Sequence, residues 1–114
     1  MTCWVFHATT ERALPSIRRQ GLVPRTQPRE HRGEKRATKR AVIFFAVRSD
    51  LAKTWGPIVL RFPWPEDSEP DEYSDTVYTP EYGVVESNWY TRDAVPSEQI
   101  EVMTKEGWRP ILGR

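Results

Sequence analysis

Short apolar blocks separated by polar punctuation run the length of this chain, and their periods predict its elements. Cys3 to His7 is aromatic and β-branched, the composition of a buried strand. Thr9 or Thr10 then stands where a hydroxyl caps a helix, which is expected to run through Gln20. Leu14 and Ile17 supply its apolar i, i+3 contact while Arg12, Arg18 and Arg19 face water. Pro15 suits the first turn, so the regular part begins late. Gly21 fits the position just past the helix, with Leu22 packing back over the last turn.

Further on, Ala41 to Val47 (AVIFFAV) is the strongest strand pattern, a continuous apolar run that predicts burial on both faces. Ser49 or Asp50 is expected to cap a short helix, DLAKTW, ended by Gly56. After Pro57 the run IVLRF reads as a strand that stops at the Pro63–Pro65 turn. Tyr82 to Tyr90 reads as strand with an interruption around Ser87. Val95-Pro96 turns the chain into Ile100–Met103, and Lys105-Glu106-Gly107 closes a hairpin onto Trp108–Leu112. The order of strand, helix, strand, short helix and then mostly strands predicts an α+β domain with antiparallel pairs.

Composition narrows the picture. A chain of 114 residues supports one core, so residues 1–114 are read as one domain. A lone cysteine, Cys3, excludes an intramolecular disulfide framework and argues for a reducing compartment; it is expected to pack in the interior. The N-terminus lacks a basic flank followed by an apolar run, and no stretch approaches the roughly 20 apolar residues that span a bilayer. The expectation is a cytoplasmic protein with no membrane partner.

Charge is segregated although the net value is only +1. Between Arg25 and Arg40, seven bases (Arg25, Arg29, Arg32, Lys35, Arg36, Lys39, Arg40) face two acids (Glu30, Glu34). This segment is expected as a solvated loop, and one able to meet phosphate in a cofactor or a nucleic acid. Glu66 to Asp75 is acidic without a base; it has no metal-ligand spacing, and Pro70 favours a plain loop.

Candidate chemistry is sparse. His31 lies in the basic segment, where exposure is the default, whereas His7 ends a predicted strand, a place from which side chains reach clefts. Taken alone, His7 fits either a hydrogen-bonded structural histidine or a catalytic one. No CxxC, HExxH, GxSxG or phosphate-binding glycine loop is present.

Three segments taken in order, FHATT…LPSIRRQGL, VIFFAVRSDLAKTWG and ESNWYTRDAVPSEQIEV, resemble the ADP-ribosyltransferase superfamily over nearly the whole chain. The first is similar to its opening strand with a His-x-Thr step and a helix ending in Gly-Leu. The second resembles an Ile-Tyr-Phe-Thr strand with a short helix closed by an aromatic-Gly pair, similar to the small rifampin-modifying ADP-ribosyltransferases. The third resembles the late strand that carries the family's acid and runs into Val-Pro-x-Glu-x-Ile. The resemblance implies two packed, mostly antiparallel sheets forming a cleft, with one main helix and one short helix. It also implies NAD as co-substrate, with ADP-ribose passing to a protein, nucleic acid or small molecule.

Residue by residue, the resemblance implies that His7 hydrogen-bonds a ribose hydroxyl of NAD, that the Ala8 backbone faces the nicotinamide amide, and that Thr9 completes the step. Phe44 falls where the family has tyrosine, Phe45 is the alternative on the opposite strand face, and Trp55 would wall the pocket. The acidic position is occupied by Asn88; Glu86, two residues earlier, is expected to share its strand face and to approach the site Asn88 lines, about 6–7 Å farther along the strand. His7, Glu86 and Asn88 are thus the candidate catalytic residues, with no metal. SNWYTRDAVP also resembles the RNA 2′-phosphotransferases, NAD-dependent enzymes of the same fold that lack that acid, and Arg25–Arg40 would suit an RNA phosphate. A third possibility is a catalytically weak relative that binds a nucleotide or a macromolecular partner.

Overall fold

The computed structural model describes residues 2–26, 28–31, 33–37 and 40–113, with the backbone alone for 28–31 and 34–37. Strand β1 (Trp4–Thr9) leads through a 3₁₀ turn, Glu11–Ala13, into helix α1 (Leu14–Gln20). Next come β2 (Pro28–His31), β3 (Glu34–Ala37) and β4 (Ile43–Ala46), then the single-turn helix α2 (Ser49–Ala52) and a 3₁₀ turn at Lys53–Trp55. The remainder is strand: β5 (Ile58–Pro63), β6 (Ser68–Pro70), β7 (Thr76–Thr79), β8 (Gly83–Glu86), β9 (Asn88–Thr91), β10 (Glu101–Thr104) and β11 (Gly107–Pro110). A 3₁₀ turn at Ser97–Gln99 precedes β10.

The α+β class and the antiparallel pairing are as expected; the sheet arrangement is not two packed sheets. Seven strands form one sheet in the order β11-β10-β5-β1-β4-β9-β6, and β2–β3 and β7–β8 form separate two-stranded ribbons. Alternation along β1 sends Val5 to one face and Phe6 and Ala8 to the other. On the first face Val5, Phe45, Leu60 and Phe62 pack under Leu14 and Ile17 of α1, with Ile100 and Ile111 closing the core. On the second, Ala46 and Val59 pack with Ala52 of α2, flanked by Phe6, Ala8 and Leu51. The two helices therefore cover opposite faces of the sheet.

Several local expectations change. Thr10 precedes the first 3₁₀ turn without a side-chain cap bond, because the chain enters helix through that turn and Ala13 is the N-cap of α1. Arg48, not Ser49 or Asp50, occupies the N-cap position of α2, again with no capping bond. Cys3 is exposed, since the strand begins one residue later and leaves it at the rim. Pro28–His31 and Glu34–Ala37 pair as a ribbon where a loop was expected, while the side chains of most of that basic segment, His31 included, lie outside the described residues. Within the acidic segment Ser68–Pro70 pairs with β9 as the sheet edge, where Pro70 is tolerated.

Gly21 is required where it stands. Its φ of 73° is left-handed, its N–H bonds the Ile17 carbonyl at 2.8 Å, and a Cβ there would lie 2.1 Å from the Val95 carbonyl. The helix end is thereby pressed against the turn that precedes β10, and Leu22 enters the core beside Val95.

Candidate functional site

β1 is bound to β5 along its whole length, from Trp4↔Pro63 to Thr9↔Ile58, but to β4 only at Phe6↔Ala46. Two residues further, that register would set Ala8 opposite Phe44, yet the ladder has stopped. The His7 ring reaches across, and Nδ1–H donates to the Phe44 carbonyl at 2.7 Å. A side chain has taken up an acceptor at the point where two neighbouring strands stop pairing.

That bond defines the chemistry of the imidazole. With the proton on Nδ1, Nε2 keeps its lone pair and acts as an acceptor. Nε2 has no hydrogen bond among the described residues, and none of their fully buried side-chain polar atoms lacks a partner, so Nε2 must reach solvent. Burial lowers the His7 pKa below the usual imidazole value, and the Phe44 carbonyl offsets this only in part. At neutral pH the residue is a neutral, oriented acceptor.

The other candidates divide by strand face. Asn88 is registered opposite Ala46, which is opposite Phe6, and Phe44 is opposite Tyr90. Ala8, Phe44 and Asn88 therefore share the face that carries α2, whereas His7, two residues from Val5 and opposite Leu60, leaves β1 on the other face and is joined to β4 only through the Phe44 carbonyl. Phe45 points the other way; it is 3% exposed and held edge-on between Phe62 and Trp64, a core residue without a surface to offer. Phe44 is half-buried and meets Tyr90 edge to face at 6.1 Å.

Trp55 is 77% exposed at the end of its 3₁₀ turn. The next residue, Gly56, brings that turn onto the end of β1, where a Cβ would sit 2.9 Å from the Thr9 carbonyl and 3.4 Å from the Ala8 Cβ. The Trp55 ring itself is left in water, one residue before the contact of Gly56 with Ala8 and Thr9.

Glu86 and Asn88 do not share a strand. Ser87 breaks the run: β8 ends at Glu86 in the separate ribbon, and β9 begins at Asn88 in the main sheet. The buried Ser87 hydroxyl accepts from the Asp75 N–H at 3.2 Å and from Asn88 Nδ2 at 3.1 Å, while Ser74 Oγ accepts from the Asn88 N–H at 3.0 Å. These bonds hold the Asn88 carboxamide by its amino group and leave Oδ1 without a partner among the described residues. The half-buried Glu86 takes the Trp89 indole N–H on its backbone carbonyl at 2.9 Å.

Sequence reasoning passed over Tyr90 and Ser74 and read Ser87 only as an interruption of the strand, which the break between β8 and β9 bears out. The i, i+2 relation of Asn88 and Tyr90 was enough to place Tyr90 on the same face; the bonds of the serines carry no local signal, because they close across a loop. Phe44 and Tyr90 line a groove of about 480 Å³ whose sides include Arg40 and Arg92. Among the described residues no group of three His, Cys, Asp or Glu side chains is placed to hold a metal ion, and no helix is long and apolar enough to cross a membrane. No protein-family model, curated protein or solved structure matches this chain.

Proposed function

We propose that this domain binds NAD and transfers its ADP-ribose to a protein, nucleic-acid or small-molecule acceptor. The observation that carries this reading is the neutral His7 at the interrupted β1–β4 ladder, with Nε2 open as an acceptor and Phe44 and Asn88 on the next two strands.

Cleavage of the ribosyl–nicotinamide bond leaves positive charge on the ribose, and the acceptor nucleophile then closes on its C1′. His7 Nε2 holds a ribose hydroxyl, Phe44 and the exposed Trp55 ring offer flat surfaces for nicotinamide, and the Ala8 backbone meets the carboxamide. Asn88 Oδ1 supplies a dipole where a carboxylate would supply a charge, a weaker way of stabilising the cation. Incubation with labelled NAD and a cell lysate tests the reading. Label on protein or nucleic acid that disappears in His7→Ala supports it, and Asn88→Glu should raise the rate. No label, no nicotinamide release and no thermal shift with NAD would refute it.

Asn88 favours a second reading. With Glu86 carried on another ribbon, no described acid stands on β9 to activate an acceptor, whereas a phosphate acceptor is already an anion. An NAD-dependent RNA 2′-phosphotransferase fits that chemistry; release of the 2′-phosphate from a 2′-phosphorylated RNA only when NAD is present distinguishes it from protein labelling. NAD binding without turnover of either kind would mark a nucleotide-binding relative.

A further inference from the structure

A second cavity, of about 610 Å³, lies where the first half of β1, the start of α2 and the tip of the β7–β8 ribbon meet. None of His7, Phe44, Trp55 or Asn88 lines it. Its walls are held together across the fold. The Tyr82 hydroxyl donates to the Trp4 carbonyl at 2.6 Å, and the Arg48 guanidinium lies 3.5 Å from the Tyr78 carbonyl. Three sequence-distant segments are thereby kept around one space of the size that small ligands occupy.

The lining joins aromatic faces with guanidinium groups. Trp4 and Phe6 come from β1, and the Tyr78 ring, 65% exposed, comes from the ribbon. Arg61 is a fixed part of the wall: it stands 4.1 Å from the Trp4 ring and 4.6 Å from that of Trp108, and Glu101 neutralises it at 2.6 Å. Arg48 is different. Among the described residues its one ion pair is with Asp50 two residues away, the two side chains being 40% and 60% exposed, and its other contact is the long one to the Tyr78 carbonyl. An exposed pair of this kind is weak and can be exchanged for a better anion. A phosphate gives the guanidinium fork the bidentate partner it prefers.

We propose that this cavity is a binding site for a mononucleotide, its base against Tyr78 and Phe6 and its phosphate on Arg48. The aromatic walls account for a planar ring and Arg48 for the anion; neither a free phosphate nor a nucleoside alone uses both. The site is independent of the NAD reading, since it shares no residue with it.

Calorimetric titration of the full chain tests this with AMP, adenosine and inorganic phosphate as the probes. AMP is expected to bind one to one, with adenosine about tenfold weaker for loss of the charge-assisted bonds and phosphate weaker still. Arg48→Gln should weaken AMP about tenfold and leave adenosine unchanged, whereas Tyr78→Ser should weaken both. Tyr78 is exposed and Arg48 half-buried, so neither substitution opens the core, and circular dichroism checks that the variants fold. Binding of AMP that persists in His7→Ala supports a separate site even if NAD chemistry is absent. Equal AMP affinity in the wild type and Arg48→Gln, loss of AMP binding in His7→Ala alone, or no heat with AMP overturns the proposal.

Discussion

Replacing His7 by phenylalanine separates the role of the imidazole nitrogens from that of the ring. Phenylalanine fills similar space but removes the donor to the Phe44 carbonyl, a 2.7 Å bond in a partly buried place. Losing such a donor costs about 1–2 kcal/mol, so the variant should be less stable by that amount near pH 8. Acid then narrows the gap. The His7 pKa is lowered in the native state from 6.5, so below that value the unfolded chain binds the proton more readily, and wild-type stability falls with pH. At about pH 5.5 that loss reaches at most about 1.4 kcal/mol, the limit when the native imidazole stays neutral. Urea denaturation of both proteins at about pH 5.5 and pH 8 measures the double difference, in which the other titrating groups cancel. The stability gap should shrink toward zero on acidification. A gap that is constant, or that widens in acid, would refute a neutral His7 donating through Nδ1.

Four further outcomes are expected. In a double-mutant cycle of Arg61→Met and Glu101→Gln, the coupling should be about 1 kcal/mol by denaturation, since the pair is partly buried and bonded at 2.6–2.8 Å. Gly21→Ala should cost at least about 2 kcal/mol, because the added Cβ meets the Val95 carbonyl at 2.1 Å in a left-handed conformation; a neutral result in thermal melts would contradict the helix end described here. Phe62→Ala, at a fully buried position beneath Phe45, should lose about 3–5 kcal/mol by urea titration. Burial pushes the Tyr82 phenol up to about 12, so spectrophotometric titration should show a step well after pH 10 that disappears in Tyr82→Phe; the unfolded chain releases that proton first, and stability declines between pH 10 and pH 12.

Local pattern carried much of the fold. The apolar run around Ile43–Ala46, the Ile58–Pro63 strand, the Gly21 helix stop and the final hairpin each rest on side-chain burial or turn geometry over a few residues, and all are present. The two N-caps failed because Thr10, Ser49 and Asp50 are good capping types wherever they occur, while the chain entered each helix by another route. The exposure of Cys3 depended on where β1 began, a boundary that residue type does not define.

For the site, the sequence by itself determined which residue types were at hand: a histidine in the first strand, which the structure places inside β1 and not at its end, paired phenylalanines, an asparagine where an acid was expected, and a charged chain of one-domain length. Only the tertiary structure decided how they could act. It separated Phe44 from Phe45 by face, because alternate residues of a strand point oppositely and one face was already the core. The interruption around Ser87 was legible, but only the fold sent Glu86 into a separate ribbon, because Ser87 bonds across to Ser74 and Asp75. And it made His7 a neutral, oriented acceptor: burial lowers its pKa, while the Phe44 carbonyl, reached where the β1–β4 ladder stops after Phe6↔Ala46, takes the Nδ1–H and leaves Nε2 as the acceptor. Each of these depends on a partner more than ten residues away along the chain, and local pattern carries no record of such partners.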